Sequence, residues 1–360
     1  HPQIGEFEGE IGFEGFSKEQ TLNQGKLAPS ADEEGVSLYL FEEADYDAWI
    51  VQVGLRYDQK SVKAPLDGNN AYFVNNGIFD TTNNSKDFSG FSGSLGATYR
   101  VASNWNVAGN LAKGFRAPSI FELYAGGVHG GVQAFQLGNP ELNAENTLGA
   151  DISIRYKDKK TKASLSVYHT NISDYIYLAN TGNIRTLNPG TPNEIKLNEM
   201  QNRQTDATMQ GLELSADSFV TDSTNIEGAL ELIKGRDTTN GSQLTMMPAN
   251  NLKLAIHQYA GPSKFSIDMK YVAAQNVAGA HEPFSQYNDK PFGTADTKAY
   301  TLWGAGYSAD IKMGKENAKF AIKVTNLFNT EYRDFLDTYK GYSLGMGRDI
   351  SFTLMVPFSL

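Results

Sequence analysis

Apolar and polar residues alternate along most of this chain with a period of two. That period marks β-strands with one face in an apolar medium and the other in water. Between residues 49 and 57, Trp49, Val51, Val53, Leu55 and Tyr57 take one face, while Gln52, Gly54 and Arg56 take the other. Ala150, Ile152, Ile154 and Tyr156 alternate with Asp151, Ser153, Arg155 and Lys157. Ala318, Phe320, Ile322 and Val324 alternate with Lys319, Ala321, Lys323 and Thr325, and Ile350, Phe352, Leu354, Val356 and Phe358 with Asp349, Ser351, Thr353 and Met355. The pattern predicts about fourteen strands, near 4–17, 35–43, 47–57, 88–101, 104–114, 146–157, 162–176, 206–218, 224–235, 249–259, 264–274, 299–313, 318–327 and 343–358. No 3.6-residue apolar period persists for three turns, so helices are not predicted.

The connections between these strands have a rhythm. Short links (44–47, 101–104, 158–161, 261–263, 314–317) alternate with long polar segments near 18–34, 58–87, 115–144, 177–205, 236–248, 275–298 and 329–342. Tight turns at one end of every strand and long loops at the other are the plan of an outer-membrane β-barrel, with an even strand number. Half-buried strands of a soluble sandwich alternate in the same way. Two features favour lipid. Aromatics gather near strand ends on the apolar face (Trp49, Tyr57, Tyr99, Trp105, Tyr156, Phe358), and the polar face carries charges mid-strand (Glu8, Glu10, Asp268, Lys270), which a wet lumen accepts and a dry core does not.

Composition narrows this further. The 360 residues are 40% hydrophobic and include 35 Gly, 18 Tyr and 20 Phe, which suits strands with aromatic girdles. Negative mean hydropathy and the lack of an apolar run near 18 residues exclude membrane-spanning helices, but a barrel with a polar lumen is still allowed. The net charge of −10 argues against a nucleic-acid partner. With no cysteine, neither disulfides nor thiolate metal sites are available. There is no GxSxG, HExxH or P-loop, and the five histidines are scattered, so no enzyme constellation is expected.

Several strings, in order, resemble one family. They are LFEEADYDAWIVQVGLRYD (40–58), NVAGNLAKGFRAPSIFELYAGG (106–127), LGNPELNAENT (137–147), QGLELS (210–215), KVTNLFNTEYRDF (323–335) and the terminal GRDISFTLMVPF (347–358). Together they resemble the later barrel strands of TonB-dependent outer-membrane receptors. Within that family, 122–142 and 166–182 look most like the zinc-uptake branch.

The resemblance implies an outer-membrane transporter of a scarce nutrient, with zinc as the transported ligand and an iron chelate as the alternative. It implies no covalent cofactor. It also implies a 22-stranded barrel, a plug domain and a short motif that engages the TonB complex. This chain shows about fourteen strands, no plug-like segment and no such motif. Residues 1–360 are therefore expected to be a C-terminal portion of the barrel. Unpaired edge strands are costly in lipid, so the N-terminal half of the same barrel is expected as a partner. A self-contained fourteen-stranded passive channel is the competing class.

For metal contact the candidate is His129, in the Gly-rich run Gly126-Gly127-Val128-His129-Gly130-Gly131, where glycine lets backbone approach a ligand. Zinc needs three or four ligands, so Glu122, His281 and Asp296 are named as further ligand-binding candidates. The plainer reading of His129 is a solvated loop residue. His169 and His257 lie inside strands and are read as girdle or lumen residues. Arg116 and Pro118 in GFRAPS are expected to fix the loop's exit, with Arg116 paired to lumen acids.

Overall fold

The computed structural model describes residues 5–22, 27–66, 68–75, 77–78, 82–130, 134–244, 246–275, 296–313, 316–337 and 343–357. Its strands are β1 (Phe7–Gln20), β2 (Ala31–Tyr46), β3 (Trp49–Lys63), β4 (Ser85–Ala102), β5 (Trp105–Arg116), β6 (Gly126–His129), β7 (Ala134–Leu137), β8 (Glu145–Lys157), β9 (Thr161–Leu187), β10 (Ile195–Phe219), β11 (Thr224–Asp237), β12 (Asn251–Ala260), β13 (Ser263–Val272), β14 (Tyr300–Met313), β15 (Glu316–Thr325) and β16 (Asp349–Met355). Two short helices, α1 (Ala71–Asn75) and α2 (Ile120–Tyr124), lie in the long connections. All strands but β6 and β7 form one antiparallel meander in chain order. The fourteen strands expected from alternation are the fourteen strands of this wall.

Each ladder keeps the predicted faces. Leu38 pairs with Tyr57, Tyr57 with Phe91, Ile152 with Val167, and Ile322 with Phe352, so apolar residues share one face from strand to strand. On that face Phe13 is 74%, Ile267 58% and Phe352 69% exposed, and among the described residues no second sheet or helix layer covers them. Side chains this greasy and this open belong in hydrocarbon, where only a fully hydrogen-bonded backbone is tolerated. Paired rings on the outward face mark the short-turn ends: Trp49–Tyr99 at 4.6 Å, Trp105–Tyr156 at 4.8 Å and Phe265–Tyr307 at 5.0 Å between centroids. They form one interfacial belt, as the sequence pattern implied for Trp49, Tyr99, Trp105 and Tyr156. Phe358 lies outside the described residues.

The opposite face lines the lumen and is laced with charge. Arg56 meets Asp58 and Glu14 at 2.8 Å each, Lys60 reaches Glu33 at 2.8 Å, and His257 Nε2 lies 3.2 Å from Glu227. His257 is therefore a lumen residue. His169 sits on the outward face, opposite Ala150 and Gln210.

Two expectations fail. Residues 177–205, expected as a loop, are mostly strand: β9 and β10 pair from Thr161/Ser218 up to Leu187/Ile195. Main-chain pairing needs no apolar alternation once the ribbon has left the membrane, so the period-two test cannot see it. A bulge marks the departure, with Asp174 at φ 58° and its amide donating to Asp206 at 3.2 Å. The last strand, expected over 343–358, is confined to Asp349–Met355. Residues before it fold back on the 326–332 turn instead: the Gly345 amide donates to Tyr332 and the Arg348 amide to the Asn329 side chain. Among the described residues β1 and β16 do not pair with each other, so the sheet is open at both.

Candidate functional site

Above the wall, at the long-loop end, the β5–β8 connection folds into the lumen and builds a platform. Its construction starts at Arg116, the last residue of β5. Pro118 follows, and Ser119 caps α2 in a reciprocal capping box with Glu122. Arg116 donates to Glu145 at 2.5 Å through Nε, and through its other two nitrogens to Glu122 at 2.9 and 3.1 Å. Glu145 also accepts the Ile176 amide at 2.6 Å, so one arginine ties β5, α2, β8 and β9 together. Burial alone would raise the Glu122 carboxyl, but hydrogen bonds from Arg116 and Ser119 hold it below the usual carboxylate range.

The far end of α2 is satisfied by chain from elsewhere. Asn139 N donates to the Glu122 carbonyl at 2.9 Å, and the Asn202 side-chain amide adds a second bond at 3.3 Å. Gly138 comes so close that a Cβ there would sit 2.4 Å from the Leu123 backbone, which only glycine permits. Beneath the helix, Leu123 packs with Val62, Phe88, Ile120, Leu142 and Ile176 in a small dry core.

The chain then forms the β6–β7 hairpin. β7 runs parallel to β10 over Phe135/Glu199 to Leu137/Gln201, beside the part of β10 that β11 no longer covers. Arg185 locks it there, with its guanidinium 4.7 Å from the Phe135 ring centroid and 3.0 Å from Glu199. Glu199 also accepts from Thr181 and Asn183, so this carboxylate is fully engaged.

His129 closes β6 and is half-buried. Its Nδ1 lies 2.8 Å from Gln136 Oε1, and its ring stands edge-on to Phe121 with centroids 5.8 Å apart. With Gln136 as acceptor, Nδ1 carries the proton in the neutral ring, and the Nε2 lone pair is left open to a ligand. The other candidates do not gather around it. Glu122 is held by Arg116 and Ser119, Asp296 is exposed ahead of β14, and His281 lies outside the described residues. Among the described residues, no three His, Cys, Asp or Glu side chains converge as a metal-binding group.

Below the platform the lumen wall opens into a cleft of about 390 Å³, lined by Glu14, Phe16, Arg56, Asp58, Lys60 and Phe115 among others. Its charges are already neutralised in pairs, and two aromatic rings flank them. Such a surface suits an organic, partly charged ligand better than a bare ion. The pairing of Arg116 with acids was legible from GFRAPS. Gln136, Arg185 and Glu199 were not, because Gln136 meets His129 across the β6–β7 hairpin and Arg185 meets Glu199 across the β9–β10 extension, two pairings that apolar alternation does not mark.

Comparison with known proteins agrees with this architecture. Residues 10–327 match the family model "TonB dependent receptor-like, beta-barrel". The chain is 24% identical over 315 residues to the hemoglobin-haptoglobin utilization protein B of Neisseria meningitidis serogroup C, covering 81% of this chain and 38% of that protein. It is 23% identical over 266 residues to the heme/hemopexin utilization protein C of Haemophilus influenzae, covering 67% and 35%. It thus spans little more than a third of the length of these curated relatives. Among solved structures, the copper transporter OprC superposes with a TM-score of 0.76 at 16% identity, over 99% of this chain and 55% of that one. The FrpB iron transporter from Neisseria meningitidis gives 0.68 at 14% identity, over 98% and 52%.

Proposed function

We infer that this chain, which belongs to the TonB dependent receptor-like β-barrel family, supplies the wall and capture platform of a receptor that imports iron in an organic chelate or haem. The family and the fold are those of receptors and transporters, not of enzymes, and the wall lies in the cell outer membrane. The observation that carries the cargo assignment is the cleft of about 390 Å³ below the platform, with its aromatic rings and paired charges, and with no converging metal donors among the described residues. A chelate hides its metal and presents an organic surface, whereas a bare zinc ion demands three or four protein donors. The printed names of the curated relatives, which concern haem, hemopexin and hemoglobin-haptoglobin, support the same class.

In this reading the outer loops capture the ligand and a plug from outside this chain completes the site. The TonB complex then supplies the energy to open a path. The open edges of β1 and β16 are closed by further strands of the same barrel, 22 in all, because unpaired backbone in hydrocarbon costs several kcal/mol per group.

Zinc is the second reading, and His129 favours it. A histidine whose Nδ1 is held by Gln136, with Nε2 open, has the arrangement of a metal ligand supported from behind. Binding titrations of the intact outer-membrane protein with haem, a ferric catecholate and Zn²⁺ separate the two. The iron reading expects tight binding of an iron species that His129→Ala leaves intact. Stoichiometric zinc, lost roughly tenfold or more in His129→Ala, replaces it with the zinc reading. Sustained ion conductance in planar bilayers would instead favour a passive channel.

A further inference from the structure

One group of side chains on the outward face takes no part in the wall, the lumen network or the platform. Between β10 and β11 the register pairs Leu214 with Leu230, Leu212 with Leu232, Gln210 with Lys234 and Thr208 with Arg236. On the other side, β9 sets His169 beside Gln210 and Asn171 beside Thr208. All of these share the face of the leucines, so the apolar column turns polar and basic in a single step. The short-turn end of β10, at Phe219, lies nine residues beyond Gln210. A tilted strand crosses the hydrocarbon in about 9–11 residues, so the step falls where the outer headgroups begin.

Lys234 and Arg236 are both exposed there, roughly 7 Å apart along the strand. Among the described residues neither has an ion-pair partner. The contrast is with Arg56, Arg116, Arg185 and Lys253, which are all paired with carboxylates. Thr208, Gln210, Lys234 and Arg236 line a cleft of about 280 Å³. Two cations flanked by hydroxyl and amide groups match the charge and hydrogen-bonding needs of a phosphate monoester.

We propose that this cleft binds the phosphate of an anionic lipid headgroup in the outer leaflet. Lys234 and Arg236 contact its oxygens, and Thr208 and Gln210 supply hydrogen bonds. The occupant is a lipid because the leucine column directly below receives acyl chains, a surface that a soluble phosphate cannot use. The proposal rests on the membrane placement of the wall and is independent of the cargo.

The test is native mass spectrometry of the intact protein in mild detergent, titrated with bis-phosphorylated lipid A, dephosphorylated lipid A and inorganic phosphate. Lys234→Gln/Arg236→Gln is compared with wild type and with Lys323→Gln on the lumen face, and gel heat-modifiability verifies that each is folded. Retention of the phosphorylated lipid should exceed that of the dephosphorylated form by roughly tenfold, fall to the same level in the double variant and stay unchanged in Lys323→Gln. Equal retention of both lipids, or an unaffected double variant, overturns the proposal. So does displacement by inorganic phosphate, which marks a free-anion site, or cross-linking of this face to a second copy.

Discussion

On the outward face of the wall, Ile152 and Phe352 stand 57% and 69% exposed, while Leu123 and Val62 inside the outer rim are not exposed at all. One meander contributes to both places, yet the two are held by different means. The wall has no side-chain core on its lipid face. Register holds it: fourteen strands paired in sequence, apolar residues lined up row by row, aromatic pairs at the short-turn belt. The rim is a miniature soluble protein, with a capped helix, a dry cluster and carboxylates consumed by arginines. Lipid replaces packing in the first, and packing replaces lipid in the second. A substitution should therefore be read by which solvent its side chain meets, since hydrophobicity alone does not separate the two faces.

The largest effect should come from Leu123→Ala, which empties the centre of the rim cluster and costs about 3 kcal/mol locally. Hydrogen exchange should show 117–144 opening while amides of β8 and β13 stay protected. Equal loss across the wall would break the distinction between the two regions. Next comes Ile152→Lys, near the middle of the lipid face of β8. It should cost about 2–3 kcal/mol in refolding into bilayers, whereas Asp151→Lys on the adjacent lumen position should cost far less. Equal penalties at the two neighbours would mean that the faces are not sorted between lipid and water.

The smallest effect sharpens the rim. Glu122 has its carboxyl held below the ordinary value of 4.5 by Arg116 and Ser119 against the opposing effect of burial. A group depressed on folding stabilises above its unfolded pKa, and that stability drains away as pH falls through the folded value. Arg116→Gln should therefore weaken the rim by about 1 kcal/mol at pH 7, discounted because Arg116 is nearly half exposed. It should also flatten the acid limb of rim stability below about pH 4.5, read by limited proteolysis of 117–144 across pH. An unchanged acid limb would remove Glu122 from the account.

Legibility in the sequence follows the same division. The wall strands could be read because each residue's face is decided locally, by parity and by two solvents of opposite character. The rhythm of short and long connections showed which end of every strand was which. The β9–β10 extension escaped because, beyond the membrane, buried apolar Leu197 and Met200 are mixed with buried polar Glu199 and Asn202, so parity carries no signal. The candidate site was readable only in fragments. His129 stood out among glycines and Arg116 in its motif, but the partner Gln136 depends on the β6–β7 hairpin, which alternation does not mark, and the parallel seating of β7 against Glu199–Gln201 joins segments some sixty residues apart.

By itself, then, the chain's period-two pattern determined an antiparallel wall with a greasy outer face, a charged lumen and all tight turns at one end. Folding alone decided that the β5–β8 connection enters the lumen, that Arg116 joins four elements, and that Lys234 and Arg236 stand one step above the leucines with no ion-pair partner among the described residues. The physical reason is range: alternation is written between neighbours, while dry clusters, clefts and most of the ion-pair network exist only where separate segments bring their side chains within a few ångströms.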